Sequence, residues 1–146
     1  MKKIKAAVVG CGNISKTHLP ILSGMENVEL VAVCDNVAER AEECGKKYGC
    51  KAYYSFDDLL LGENLDCVHI CTPHYLHVPM AVKALENGIN VLCEKPCAIT
   101  RKGLERLGRA VQKSTAVFGV CFQNRYNASV KKAMELIEGG TTGLLT

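Results

Sequence analysis

The sequence predicts an α/β fold, a doubly wound parallel sheet of the Rossmann type with strand order 3-2-1-4-5-6. Three observations carry this. Short apolar runs alternate with amphipathic stretches along the chain, the pattern of repeated βαβ units. The runs are apolar at consecutive positions rather than at every second one, which suits strands covered by helices on both faces. The first run ends in Gly10-Cys11-Gly12 and leads straight into a helical stretch, where such sheets place their glycine turn.

The elements follow in order. Ile4 to Val9 is the first strand, and a helix runs from about Ile14 to Ser23. Val28 to Cys34 is the second strand and ends at Asp35; Val37 to Tyr48 is helical, with its charges outward. Lys51 to Tyr54 is a short third strand. Ser55 then opens a short helix, because its hydroxyl can accept the N–H of Asp58. Cys67 to Cys71 is the fourth strand, closed by Thr72-Pro73. Val78, Ala81, Val82 and Leu85 have the i, i+3, i+4, i+7 spacing of one buried helix face, and Asn87-Gly88 ends that helix. Asn90 to Cys93 is the fifth strand. Thr100 caps a helix expected to carry Leu104, Leu107 and Val111 inward, and Ala116 to Phe122 is the sixth strand. Val130, Ala133, Met134 and Ile137 mark a last helix ending at Gly139-Gly140.

Composition narrows the function classes. A chain of 146 residues, 48% hydrophobic and 23% charged, reads as an ordinary globular protein with one core. A net charge of only +3, spread along the chain, gives no basic stripe for nucleic acid or an anionic membrane. No apolar stretch reaches the ~20 residues of a membrane span. The basic start Met1-Lys2-Lys3-Ile4-Lys5 is followed by too short an apolar run for a signal peptide, so the expected compartment is the cytoplasm. Nine cysteines could suggest a disulfide framework. Without a secretory signal, and with Cys34, Cys67, Cys71, Cys93 and Cys121 inside apolar runs, they read as free thiols acting as small hydrophobes. Cys67/Cys71 and Cys93/Cys97 lack the C-x2-C pairing of a zinc site, so no metal is expected.

The chemistry begins at Gly10-Cys11-Gly12-Asn13-Ile14-Ser15. Gly10 permits the tight turn, and Gly12 lets backbone approach a pyrophosphate. The helix start at Asn13 and Ile14 offers unpaired N–H groups to an anion. Ser15 replaces the third glycine and is small enough for close helix–sheet contact. Asp35, with Asn36 behind it, stands at the tip of the second strand. Its carboxylate can accept from both adenosine ribose hydroxyls and would repel a 2′-phosphate. That predicts NAD over NADP, with Arg40 read as a solvated helix charge. A similar loop also serves S-adenosylmethionine binders, so these features alone do not imply hydride transfer.

Two further motifs lie at strand tips: Thr72-Pro73-His74 after the fourth strand and Glu94-Lys95-Pro96 after the fifth. With them the sequence resembles the glucose–fructose oxidoreductase/inositol dehydrogenase (Gfo/Idh/MocA) family. The matching residues are Gly10-x-Gly12, His18, Asp35, Thr72-Pro73 with His77, Glu94-Lys95-Pro96, Gln123-Asn124-Arg125-Tyr126, and a tail through Gly143. The resemblance implies an NAD-dependent dehydrogenase acting on a sugar or polyol. Lys95 is implied as the catalytic or substrate-orienting lysine, and Pro96 as a cis proline. Glu94 would contact the nicotinamide ribose or brace its loop. Thr72 and Pro73 would line the cofactor channel, with His74 and His77 towards its nicotinamide end, although for both histidines a polar role at the helix start is at least as strong a reading. Gln123 and Arg125 would close the site. His18 is read as bracing the first helix and His69 as a satisfied core residue.

Residues 1–122 are then the dinucleotide-binding domain, and residues 123–146 a linker helix and the start of a second α/β domain. Such relatives hold substrate, and associate into homo-oligomers, through that second domain. The chain alone is therefore expected to bind cofactor without turning over substrate. The alternatives are a non-catalytic nucleotide sensor, for which Lys95 has no use, and a methyltransferase-like binder, which leaves Glu94-Lys95-Pro96 unexplained.

Overall fold

The computed structural model describes residues 2–140 and Gly143. Six strands form one sheet: β1 (Ile4–Val9), β2 (Val28–Cys34), β3 (Lys51–Tyr53), β4 (Cys67–Ile70), β5 (Asn90–Glu94) and β6 (Phe118–Cys121). Their order is β3-β2-β1-β4-β5-β6, and every neighbouring pair is parallel. This is the sheet the apolar runs predict. The chain leaves one edge at β3 and re-enters beside β1 as β4, so the strand order reverses between β1 and β4. Ligands of open α/β sheets sit above such a reversal.

Consecutive apolar residues fill two cores at once, because side chains alternate across a strand. Ala7, Val9, Val68, Ile70, Val91 and Cys93 enter one core, with Phe56, Leu59, Val78, Leu85 and Leu107 from the helices over that face. Ala6, Val8 and Val33 enter the other, under Leu19 and Leu22. Thus α1 (Ser15–Gly24) and α2 (Ala38–Tyr48) cover one face, and α3 (Phe56–Gly62), α4 (His77–Glu86) and α5 (Arg101–Lys113) cover the other. The predicted caps are present. Ser55 Oγ accepts from the N–H groups of Asp57 and Asp58 at 3.2 and 3.5 Å, and Thr100 Oγ1 from Gly103 at 3.0 Å. All nine cysteines are free thiols. Burial pushes Cys34, Cys71 and Cys93 up to about 12, so they stay protonated and inert.

One expectation is corrected. Leu104 does not point into the core: it is 53% exposed, while Leu107 is 2% exposed. Leu104 lies in the first turn of α5, beside the open basin at the strand tips rather than over the sheet. The last helix, α6 (Ala128–Glu138), forms where its spacing predicts, but every residue in it is exposed, Val130, Met134 and Ile137 included. Its apolar stripe therefore faces solvent. The start of a second domain expected after Gly143 lies outside the described residues. Among the described residues no helix is long and apolar enough to cross a membrane.

Candidate cofactor and active site

The glycine turn sits at the tip of β1. Gly10 has φ +94°, and a Cβ there would come within 2.7 Å of the Cys71 backbone at the tip of β4. A side chain is thus excluded twice, by conformation and by contact. At Gly12 a Cβ would meet nothing within 4 Å, so the backbone faces open space where a ligand can approach it. Ser15 is buried, and its hydroxyl donates to the Gly12 carbonyl at 2.7 Å, which pins the turn to the start of α1. Asn13 and Ile14 are exposed at that helix start.

Asp35 does more than wait for a ligand. Its Oδ2 accepts from the Cys11 N–H at 2.8 Å and its Oδ1 from the Val37 N–H at 2.9 Å. The carboxylate therefore ties the β1 turn to the β2 tip. Each oxygen keeps a second lone pair for a ribose hydroxyl. Gly10, Gly12, Asp35, Asn36, Thr72 and Pro73 line one crevice of ≈ 590 Å³ above the strand-order reversal. Its size and polarity fit the adenosine and pyrophosphate of a dinucleotide. Sequence reasoning missed several walls, among them Tyr54, Phe56, Leu76 and Met80. For Tyr54 the signal was available, because Tyr53 pairs with Cys34 across β3 and β2 and so brings residue 54 beside Asp35. Arg40 also lines this crevice while remaining exposed.

A second, larger basin of ≈ 850 Å³ contains Lys95, Pro96, Gln123 and Arg125, with Leu104 and Phe122 on its apolar side. Lys95 follows the last residue of β5 and is exposed into it. The Lys95-Pro96 bond is cis. His74 lines neither cavity and instead faces a shallow groove between α4 and α5.

His77 connects the two cavities from beneath. It is 0% exposed, with Nδ1 at 2.8 Å from the Pro96 carbonyl and Nε2 at 2.9 Å from the Thr72 carbonyl. It cannot touch a ligand where it stands. It holds the β4 and β5 tips at a fixed separation.

Glu94 is buried, and its Oε1 accepts from His18 Nε2 at 2.9 Å. It braces α1 against β5 rather than lining either cavity. Burial pushes this carboxyl up, but hydrogen bonds from His18 and the Cys121 thiol, with the Lys95 N–H, outweigh it and hold Glu94 below the usual carboxylate range. His18 Nδ1 lies 3.0 Å from His69 Nδ1. Burial, and then the neighbouring His18, lower His69 to about 4, so it is neutral near pH 7. His18 thus braces and His69 is satisfied, as the sequence suggests.

A family model described as "Oxidoreductase family, NAD-binding Rossmann fold" (GFO_IDH_MocA) matches residues 4–122. The chain belongs to this Gfo/Idh/MocA family. Inositol 2-dehydrogenase of Salmonella typhimurium is 35% identical to it over 144 residues, covering 96% of this chain and 43% of that protein. The crystal structure of the WlbA dehydrogenase from Bordetella pertussis, in complex with NADH and UDP-GlcNAcA, superposes with a TM-score of 0.93 at 31% identity, over 97% of this chain and 44% of that one. Scyllo-inositol dehydrogenase from Lactobacillus casei, with bound NAD(H) and scyllo-inositol, gives a TM-score of 0.92 at 26% identity, over 97% of this chain and 43% of that one. The Gfo/Idh/MocA chain described here therefore spans less than half the length of these relatives.

Proposed function

We propose that this chain is the NAD-binding half of a dehydrogenase that moves hydride between a sugar or polyol carbon and a nicotinamide ring. One observation carries the reading. Lys95 stands at the tip of β5 in its own basin, and buried His77 fixes its turn to the Thr72 side of the dinucleotide crevice. An adenosine end gripped at Asp35 would then leave the reactive ring near an amine that can take up or return the substrate hydroxyl proton.

When bound, NAD supplies the hydride acceptor at its ring; the protein binds, orients and manages the proton. Gly12 and the first N–H groups of α1 would face the pyrophosphate. Asp35 would accept from the ribose. Thr72 and Pro73 would line the path towards Lys95, and Gln123 and Arg125 would shape the substrate side. Asp35 favours NAD over NADP because it would repel a 2′-phosphate, even with Arg40 in the same crevice. The names of the relatives support a sugar or polyol substrate. The exposed apolar residues around Lys95, namely Ile99 (57%), Leu104 (53%) and Phe122 (52%), support a site completed by further protein. On this reading the chain alone binds cofactor and does not turn over substrate.

Titration calorimetry with NAD, NADP and S-adenosylmethionine tests the reading. A single site that prefers NAD to NADP by about tenfold or more is expected, a gap of about 1.4 kcal/mol. Binding of S-adenosylmethionine alone would overturn it. NADH formation by the isolated chain from myo-inositol, at an ordinary enzymatic rate, would refute the inactivity of this half.

A further inference from the structure

The cluster behind Lys95 holds three chemically different metal donors from three separate elements. A ring nitrogen of His18 in α1, a Glu94 carboxylate oxygen of β5 and Cys121 Sγ of β6 all lie within 4.8 Å of one another. The strand register brings them there. Glu94 and Cys121 are direct partners across β5 and β6, so their side chains leave the sheet on the same face. That face is the one α1 covers, and His18 is the α1 residue that reaches it. His18 is 8% exposed, Glu94 is 5% exposed, and Cys121 is half-buried.

We infer that His18, Glu94 and Cys121 form a binding site for a thiophilic divalent cation, of which zinc fits best. Imidazole, carboxylate and thiolate in one site match a borderline ion such as Zn²⁺, and the sulfur disfavours Mg²⁺ and Ca²⁺. Ligand atoms around tetrahedral zinc stand roughly 3.3–3.8 Å apart, given bonds of about 2.0–2.3 Å. The cluster needs to close by about an ångström at its widest, while the 2.9 Å contact of His18 with Glu94 opens by roughly half an ångström. Solvent supplies the fourth ligand.

A ready outer partner strengthens the case. Metal-bound histidines hold their second ring N–H on a fixed acceptor. His18 Nδ1 already lies 3.0 Å from His69 Nδ1. A His69 ring that carries its own proton on Nε2 accepts at Nδ1. Loading forms M–N, M–O and M–S bonds and breaks the Cys121 S–H bond. The thiol proton goes to solvent, the His18 proton moves from Nε2 to Nδ1, the His69 proton moves from Nδ1 to Nε2, and nothing is oxidised or reduced. One carboxylate and one thiolate neutralise the dication, so no net charge is left in the half-buried site. The ion would fasten α1 to the β5 and β6 tips directly behind Lys95. This inference does not depend on the cofactor reading.

The test is metal binding by the chain itself. Co²⁺ should bind at one per chain with a thiolate-to-cobalt charge-transfer band in the near ultraviolet. Zn²⁺ should displace it. Cys121→Ser should abolish the band and weaken Zn²⁺ at least tenfold against a chromophoric chelator, and His18→Gln should weaken Zn²⁺ similarly. X-ray absorption on the zinc-loaded wild-type chain serves even if a variant does not fold. One sulfur at about 2.3 Å with nitrogen or oxygen at about 2.0–2.1 Å is expected. A shell of two or more sulfurs, no stoichiometric binding, or a band that survives Cys121→Ser would overturn the site.

Discussion

Asp35 concentrates two duties in one carboxylate, so its replacement is informative. Asp35→Asn keeps the shape but turns one acceptor into a donor facing an N–H group, at Cys11 or at Val37. The variant should lose about 1–3 kcal/mol of stability in urea unfolding. Its NAD affinity should fall about tenfold or more, with the NADP affinity falling less. Gly10→Ala is harsher, because φ +94° and the Cys71 backbone both oppose a Cβ. It should cost about 2 kcal/mol or more and abolish detectable NAD binding. His69 gives a pH signature. Its folded value is about 4 against an ordinary 6.5. The unfolded chain takes up this proton as pH falls below about 6.5, and the folded chain does so only near 4. Stability should therefore decline between those values as the solution is acidified. Glu94, held below the usual carboxylate range, adds acid sensitivity in the same direction as pH falls through its folded value. His69→Gln should flatten the dependence of the urea midpoint between pH 7 and 4.5. A slope equal to that of the wild type would exclude His69 as a source.

At the scale of elements, the strands and their order were legible because they are written in short apolar runs and strand-tip motifs. The helices were legible in existence and less so in facing. Leu104 and Leu107 share one helical spacing, yet only Leu107 is buried, because periodicity does not tell where a helix overhangs the end of its sheet. Leu107→Ala should cost about 2–5 kcal/mol, whereas Leu104→Ser should change stability by less than about 0.5 kcal/mol. The same reasoning covers α6. Its apolar stripe is exposed, so Val130→Ser or Ile137→Ser should also change stability by less than about 0.5 kcal/mol. The site divides similarly. Gly10, Gly12, Asp35 and Lys95 were legible as motif residues at strand tips. The brace formed by His77 was not, since its two carbonyl partners, at Thr72 and Pro96, are joined only by folding. Nor was the convergence of His18, Glu94 and Cys121, which come from three distant segments.

At the scale of the whole molecule, the chain carries a complete six-stranded sheet with two filled cores, and beside it an exposed helix and an open apolar basin. The first part explains cofactor binding, and the second suits a surface that other protein covers. NAD at 100 times its Kd should stabilise the chain by about 2.7 kcal/mol, a rise in Tm of roughly 5–10 °C. Amide-resolved NMR titration of the labelled chain reads directly where NAD binds. The prediction is saturable shifts at Gly10, Gly12, Asp35 and Thr72, extending to Lys95, with the α4–α5 groove unmoved. Shifts confined to that groove, or none with millimolar NAD, would contradict it.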